Sequence, residues 1–167
     1  MKKFAKILVV SMLLFAVTLS FASCGVIKEK LGLGFTMEKL QEKLKDEGYV
    51  VETVTNEYYV FYQLNVLFPY VELDERPEEI LTASQEKGND VFYALKFEDK
   101  EIAEEAFAVL EPEIEYFIEE YNENLEKLEK DAMDFTWKRK GDIIYFGTVD
   151  AVKAAIGMPG SLFVFKK

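Results

Sequence analysis

Two kinds of side chain dominate the chemistry that this sequence could perform: a single cysteine and a large excess of carboxylates. The 167 residues contain one cysteine, no histidine, and 31 acids against 20 bases. Without histidine the chain cannot build a Ser-His or Cys-His nucleophile pair, an imidazole acid/base catalyst or a His-containing metal site. We therefore expect no cofactor and no bound metal. The enzymatic alternative that remains is acid/base catalysis by a pair of carboxylates.

The cysteine, Cys24, follows a stretch with the layout of an export signal. Three lysines lie within the first six residues, residues 7–19 are an apolar run, and the small residues Ala22 and Ser23 stand directly before the cysteine. This arrangement resembles the lipobox of bacterial lipoproteins, in which the cysteine thiol is acylated and becomes the new N-terminus after cleavage. The resemblance implies that Cys24 is the lipidation site and that the lipid holds the protein at the outer face of the cell membrane.

Two other interpretations of the N-terminus stay open. The 21 uncharged residues at 7–27 could be retained as a membrane anchor, since about 20 apolar residues span a bilayer. Alternatively, an ordinary secretory signal is removed and Cys24 is an incidental thiol. Whether the anchor is the lipid on Cys24 or a retained apolar segment, the basic start stays in the cytoplasm, so everything after residue 25 is extracytoplasmic.

The mature chain is expected to be a single acidic domain on a tether. A signal at residues 1–23 leaves residues 24–34, with three glycines, as the tether and residues 35–167 as one domain. Three of the 20 bases belong to the signal, so the mature chain carries a formal net charge of −14. A nucleic acid is an unfavourable partner for this surface, because both molecules are negatively charged.

Local patterns predict an α+β fold. Helices are predicted at residues 36–48, from Asp99 onward with a break or kink at Pro112, and at residues 148–157. Strands are predicted at residues 49–55, 58–68, 91–97, 135–140, 143–148 and 162–165, while residues 77–87 are either a short helix or a loop. From residue 91 onward this order is ferredoxin-like. We expect an antiparallel sheet with the helices packed on one face.

The strand predicted at residues 58–68 depends on an alternation of period two. Every even position in this stretch is apolar or aromatic, whereas Gln63 and Asn65 occupy odd positions. The aromatic side chains are accordingly predicted to pack in the core of the sheet. Tyr59, on the opposite side of the predicted strand, is a candidate contact for a partner.

Three segments of the mature chain carry a resemblance to known proteins. The segments LKDEGYVVETV, YALKFEDKEIAEEAF and IIYFGTVDAVKAAI resemble small uncharacterised lipoproteins of Gram-positive bacteria. The resemblance implies an envelope location and an α+β build, and it transfers no active site.

An acidic run at residues 111–131 contains nine acids and two lysines. Such a run is typical of a solvated helix face, with supportive charge pairs four residues apart. The alternatives are a docking face for a basic partner or a weak calcium surface, although no stretch fits an EF-hand loop. Glu119, Glu120 and Glu123 are the candidate partner contacts on this run.

The one basic cluster outside the signal is Lys138-Arg139-Lys140, directly after Trp137. Trp137 and Arg139 share a face of the predicted strand and are candidate contacts for an anionic ligand. In the alternative interpretation, the lysines of this cluster protect an edge strand or pair with the acidic helix.

These observations favour a lipid-anchored extracytoplasmic module that binds or supports an unknown envelope protein or ligand without catalysis. The alternative is a carboxylate-dependent envelope hydrolase. An enzyme would bring two or more acids together in a buried cleft, whereas a binding module would expose an aromatic or acidic patch.

Overall fold

The computed structural model describes residues 35–157, which form five strands and four helices. In chain order these are α1 (Met37–Asp46), β1 (Tyr49–Val54), α2 (Glu57–Leu67), β2 (Glu79–Gln85), β3 (Val91–Lys96), α3 (Lys100–Lys127), β4 (Phe135–Lys140), β5 (Ile143–Thr148) and α4 (Val149–Ile156). None of these helices is long and apolar enough to cross a membrane. The predicted signal, tether and Cys24, and the strand predicted at residues 162–165, lie outside the described residues.

The five strands form one sheet in the order β1-β2-β3-β5-β4, and every neighbouring pair is antiparallel. The predicted α+β fold on an antiparallel sheet is confirmed. Strands β3, β5 and β4 have the spatial order of the first three strands of a ferredoxin-like fold. The position on the other side of β3, where the fourth strand of that fold would lie, is occupied by β2. Strands β1 and β4 are the two edges.

Helices cover both faces of the sheet, which corrects the expectation that they share one face. All six residues of β5 are buried, and because strand side chains alternate between faces, both faces must be covered. On one face, Leu95, Ile144 and Phe146 belong to a core cluster with the inner residues of α2 and α3. On the other face, α1 and α4 pack against each other and against the strands.

Residues 58–68 do not form the predicted strand, because most of this stretch belongs to helix α2. The Asn56 side chain begins the helix by accepting a hydrogen bond from the backbone N–H of Tyr58 at 3.1 Å. Val60, Leu64 and Leu67 are buried at the i, i+4, i+7 spacing of a helix. The alternation misled because the residues on the outer side of this helix are also aromatic, so apolar residues fitted both periods.

Residues 77–87, expected to be a short helix or a loop, contain strand β2. This strand pairs with β1 on one side and β3 on the other, and Ile80, Leu81 and Ala83 are buried. Pro77 lies just before the strand, where its missing N–H removes no ladder hydrogen bond. The two neighbouring strands thus decide the conformation of a stretch whose acidic flanks indicate a loop.

Within residues 35–157 the remaining predicted elements are observed, with one difference in α3. Asp99 caps α3, its Oδ1 accepting from the Ile102 backbone N–H at 2.9 Å, but Pro112 does not end the helix, which runs for 28 residues. Leu110 and Ile114, both fully buried, hold the turns on either side of the proline. Their packing offsets the one backbone hydrogen bond that proline cannot donate.

Candidate functional site on helix α2

Helix α2 presents a continuous group of aromatic and apolar side chains to solvent. We call this group the aromatic face of α2; its members are Tyr58, Tyr59, Phe61, Tyr62 and Val66, each between 43% and 70% exposed. At 3.6 residues per turn these five positions lie within an arc of about 160°. They therefore form one surface and are not scattered around the helix.

The inner side of α2 fixes the direction in which this surface points. Val60, Leu64 and Leu67 are buried in the core cluster that α2 shares with α3 and the sheet. A helix that is apolar on all sides is normally buried on all sides. In α2 only the inner side is covered, so the aromatic face is left in contact with water.

Local contacts order the aromatic side chains. The rings of Tyr58 and Tyr59 meet edge to face with centroids 5.4 Å apart. Asn65, the polar residue within the same arc, donates from its side-chain amide to the Phe61 backbone carbonyl at 2.7 Å. The ring contact restrains Tyr58 and Tyr59 before any partner binds, which lowers the entropy that these two side chains lose on binding.

The aromatic face lies in the least charged stretch of the mature chain. No charged residue occurs from Tyr58 to Val71, and Arg76 is the only base between Lys45 and Lys87. The guanidinium carbon of Arg76 lies 4.4 Å from the centroid of the Phe61 ring, a cation–π contact. Arg76 thus stands at the border of this uncharged stretch, and Glu72 and Asp74 line the same depression.

Two shallow depressions flank the aromatic face. One, between the end of α2 and the following loop, is lined by residues that include Phe61, Tyr70 and Arg76, and Tyr70 is 89% exposed. The other, between the end of β1 and α2, is lined by residues that include Tyr59 and Tyr62. Both are open to solvent, and each combines aromatic rings with a few polar groups, the usual composition of a binding surface.

Trp137 and Arg139, the predicted contacts for an anionic ligand, both face α3. The Trp137 indole N–H donates to Glu111 Oε1 at 3.3 Å, and Arg139 Nη2 donates to Glu104 Oε2 at 2.9 Å. A second guanidinium nitrogen of Arg139 donates to the Gly141 carbonyl at 3.1 Å. Both side chains thus contact glutamates of α3; a role in ligand binding stays a prediction.

Glu119, Glu120 and Glu123, the predicted acidic contacts, are exposed on α3. Glu123 pairs with Lys127 at 3.9 Å across one helical turn, and both side chains are well exposed. Within residues 35–157 no group of three or more acids and cysteines could hold a metal ion. The predicted contacts lie on three separate elements: Tyr59 on α2, the glutamates on α3, and Trp137 and Arg139 on β4.

Two carboxyl groups have shifted pKa values with local causes. Burial, and then the charge of Glu38, raise the pKa of Glu79, which is half-buried. The pKa of Glu38 is lowered mainly by a hydrogen bond from a backbone N–H and secondly by the Thr36 hydroxyl, because Glu38 lies in the first turn of α1. Capping and partial burial account for both shifts.

The sequence interpretation missed most of the aromatic face, since it assigned Tyr58 and Tyr62 to the core of a strand. The signal that identifies the helix is present: Asn56 is a favourable N-cap, and Val60, Leu64 and Leu67 have helical spacing. No protein-family model matches the chain, and neither a curated protein nor a solved structure is significantly similar to it.

Proposed function

We propose that this protein is a lipid-anchored, extracytoplasmic binding module of the cell envelope, without catalytic activity, whose binding surface is the aromatic face of α2. The observation that carries the proposal is the exposure of five adjacent apolar or aromatic side chains on one side of a well-packed helix. Soluble monomers rarely expose contiguous apolar patches, and those that exist are commonly interaction sites.

The anchoring part of the proposal is supported by the sequence around Cys24. A basic start, an apolar run and small residues before a single cysteine are the features of a lipoprotein signal. Two or three acyl chains retain a protein at a membrane far more firmly than one, since each buried CH₂ contributes about 0.8 kcal/mol. The aromatic face of α2 would then operate close to a membrane surface.

The alternative, a carboxylate-dependent envelope hydrolase, receives less support. Acid/base catalysis by two carboxyl groups requires that they converge on a substrate in a cleft. Glu79 has a raised pKa, but Glu38, whose charge contributes to that shift, is exposed at a helix start. We therefore favour the binding role.

Mass measurement of the membrane-extracted protein tests the anchor. A chain that begins at Cys24 and carries the mass of acyl groups supports the proposal, and the Cys24→Ala variant should lack that mass. A full-length, unmodified chain recovered from the cytosol would contradict it.

Photo-crosslinking in intact envelopes tests the binding surface. A benzoylphenylalanine introduced at Tyr59 should give crosslinked products. Tyr116 on α3 is the matched control, because both tyrosines are 60% exposed and both belong to helices. Equal crosslinking at the two positions would show that the aromatic face of α2 is not a specific binding surface.

A further inference from the structure

We propose that the aromatic face of α2 docks on the outer surface of the membrane that carries the lipid anchor, with its tyrosine rings in the headgroup region. This inference deepens the proposed function, on which it rests, by naming the partner of the same surface. Three features of the molecule support it: the chemistry of the face, the position at which the tether joins the domain, and the location of Arg76.

The chemistry of the face fits a membrane interface. Tyrosine has an apolar ring and a polar hydroxyl, and it is enriched where hydrocarbon meets water. No charged residue occurs from Tyr58 to Val71. Glu57, in the first turn, is therefore the one charged residue of this helix that could lose water when the helix enters the headgroup region. The exposed glutamates of α3 would be repelled by anionic lipids, so the two helices differ sharply as docking surfaces.

The tether joins the domain at the end of the sheet where α2 begins. Helix α1 is connected to β1 by Glu47 and Gly48 alone and packs against that strand, so the start of α1 lies beside the end of β1. The electrostatic effect of Glu38 on Glu79 agrees with this placement, because the next residue, Ile80, pairs with Val54 at the end of β1. Helix α2 begins at Glu57, three residues after β1 ends at Val54. The start of α1 and the start of α2 therefore lie at the same end of the sheet.

The length of the tether allows docking without removing the anchor from the bilayer. Residues 24–34 reach at most about 40 Å when fully extended. A domain of this size has a radius of gyration of about 14 Å. The aromatic face therefore stays within reach of the membrane surface, and a weak affinity is sufficient, because tethering raises the effective concentration to the order of millimolar.

Arg76 supplies a phosphate contact at the border of the face. Its guanidinium lies over the Phe61 ring. Glu72 and Asp74 line the same depression, but among the described residues no carboxylate lies within ion-pair distance of Arg76. A guanidinium held on an aromatic ring keeps its hydrogen-bond donors available for a phosphate oxygen. In the docked state this oxygen would come from a lipid headgroup.

Depth measurement by electron paramagnetic resonance tests the inference on the complete lipidated protein. The acylated Cys24 has no free thiol, so a nitroxide attaches only to an introduced cysteine, at Tyr62→Cys or at the matched control Tyr116→Cys. These two tyrosines are 61% and 60% exposed. The protein is reconstituted into vesicles of phosphatidylglycerol and phosphatidylcholine, and its acyl mass is measured in the same sample.

We expect the nitroxide at position 62 to lie about 5–10 Å into the boundary between headgroups and acyl chains, and the nitroxide at position 116 to remain in water. The substitution Arg76→Gln should reduce the docked fraction several-fold without changing the signal at position 116. Because both positions carry exposed side chains, we expect the labelled variants to fold. An unchanged circular dichroism spectrum verifies this.

Three results would overturn the inference, and they are distinguishable. An acylated protein whose label at position 62 remains in water would exclude docking and leave the anchor intact. Spin–spin broadening at position 62 would show that a second copy of the chain covers the face. A chain without acyl mass would contradict the proposed function itself, and the docking inference would fail with it.

Discussion

Helices α2 and α3 pack on the same face of the sheet and bury similar apolar stripes, yet their outer surfaces have opposite chemistry. The outer side of α2 carries tyrosines, a phenylalanine and a valine, whereas that of α3 carries mainly glutamates, with Val109 and Tyr116 as its exposed apolar and aromatic residues. Solvated glutamates need no partner, because water stabilises their charge. By contrast, the free energy of the system falls when a partner removes exposed aromatic rings from water. The comparison therefore supports the proposal that α2, and not the more highly charged α3, is the binding helix.

The largest expected effect separates the two sides of α2. Leu64→Ala should lower the free energy of unfolding by about 2–5 kcal/mol, because it leaves a cavity in the core at a side chain only 5% exposed. Tyr62→Ala, on the outer side, should change it by less than about 0.5 kcal/mol. Urea denaturation of both variants measures the difference. A large loss for Tyr62→Ala would mean that the aromatic face serves stability and not binding.

The helix caps allow α2 and α3 to be compared by equivalent substitutions. Asn56→Ala and Asp99→Ala each remove a side-chain acceptor from the first turn of a helix, and each should lower the free energy of unfolding by about 1 kcal/mol. Replacement by serine, another good N-cap, should restore most of the loss. If Asn56→Ala had no effect, the assignment of residues 57–67 to a helix would be in conflict with experiment.

A smaller effect is expected for the ion pair that joins α3 to the edge strand. Arg139 Nη2 lies 2.9 Å from Glu104 Oε2. The Arg139 side chain is largely covered, but that of Glu104 is well exposed, so the pair should contribute less than about 1 kcal/mol to the free energy of unfolding. A double-mutant cycle with Arg139→Met and Glu104→Gln measures the coupling. The coupling should decrease at high salt. A coupling energy of zero would indicate that the contact does not orient β4 on α3.

The smallest effect concerns Glu79, a half-buried acid of β2. Burial raises the pKa of Glu79 in the folded state above its unfolded value, so ionisation opposes folding and stability decreases as the pH rises through these two pKa values. Glu79→Gln should therefore be more stable than the wild type at pH 7 and lose this advantage in acid, where Glu79 is protonated in both states. Thermal unfolding at pH 7 and pH 3 tests the sign. Glu119→Gln, at a fully solvated acid, is the control.

How far the sequence predicted this structure differed between regions. The elements with a cap and a clear period, such as α1 after Thr36 and α3 after Asp99, were predicted and are observed. Residues 58–68 were assigned the wrong period, because aromatic side chains stand on both sides of α2 and favour no single face. Strand β2 was missed because its conformation depends on its neighbours β1 and β3 more than on its own residues.

The sequence by itself determined the local and compositional properties: an α+β content, a strongly acidic composition, the absence of histidine chemistry and an N-terminus that resembles a lipoprotein signal. These properties depend on residue type and short-range spacing. Only the tertiary structure decided that helices cover both faces of the sheet, that Arg139 and Trp137 contact the glutamates of α3, and that five side chains of α2 remain in contact with water. The physical reason is that burial is a property of the assembled layers, so an aromatic residue in the sequence does not show whether another element will cover it.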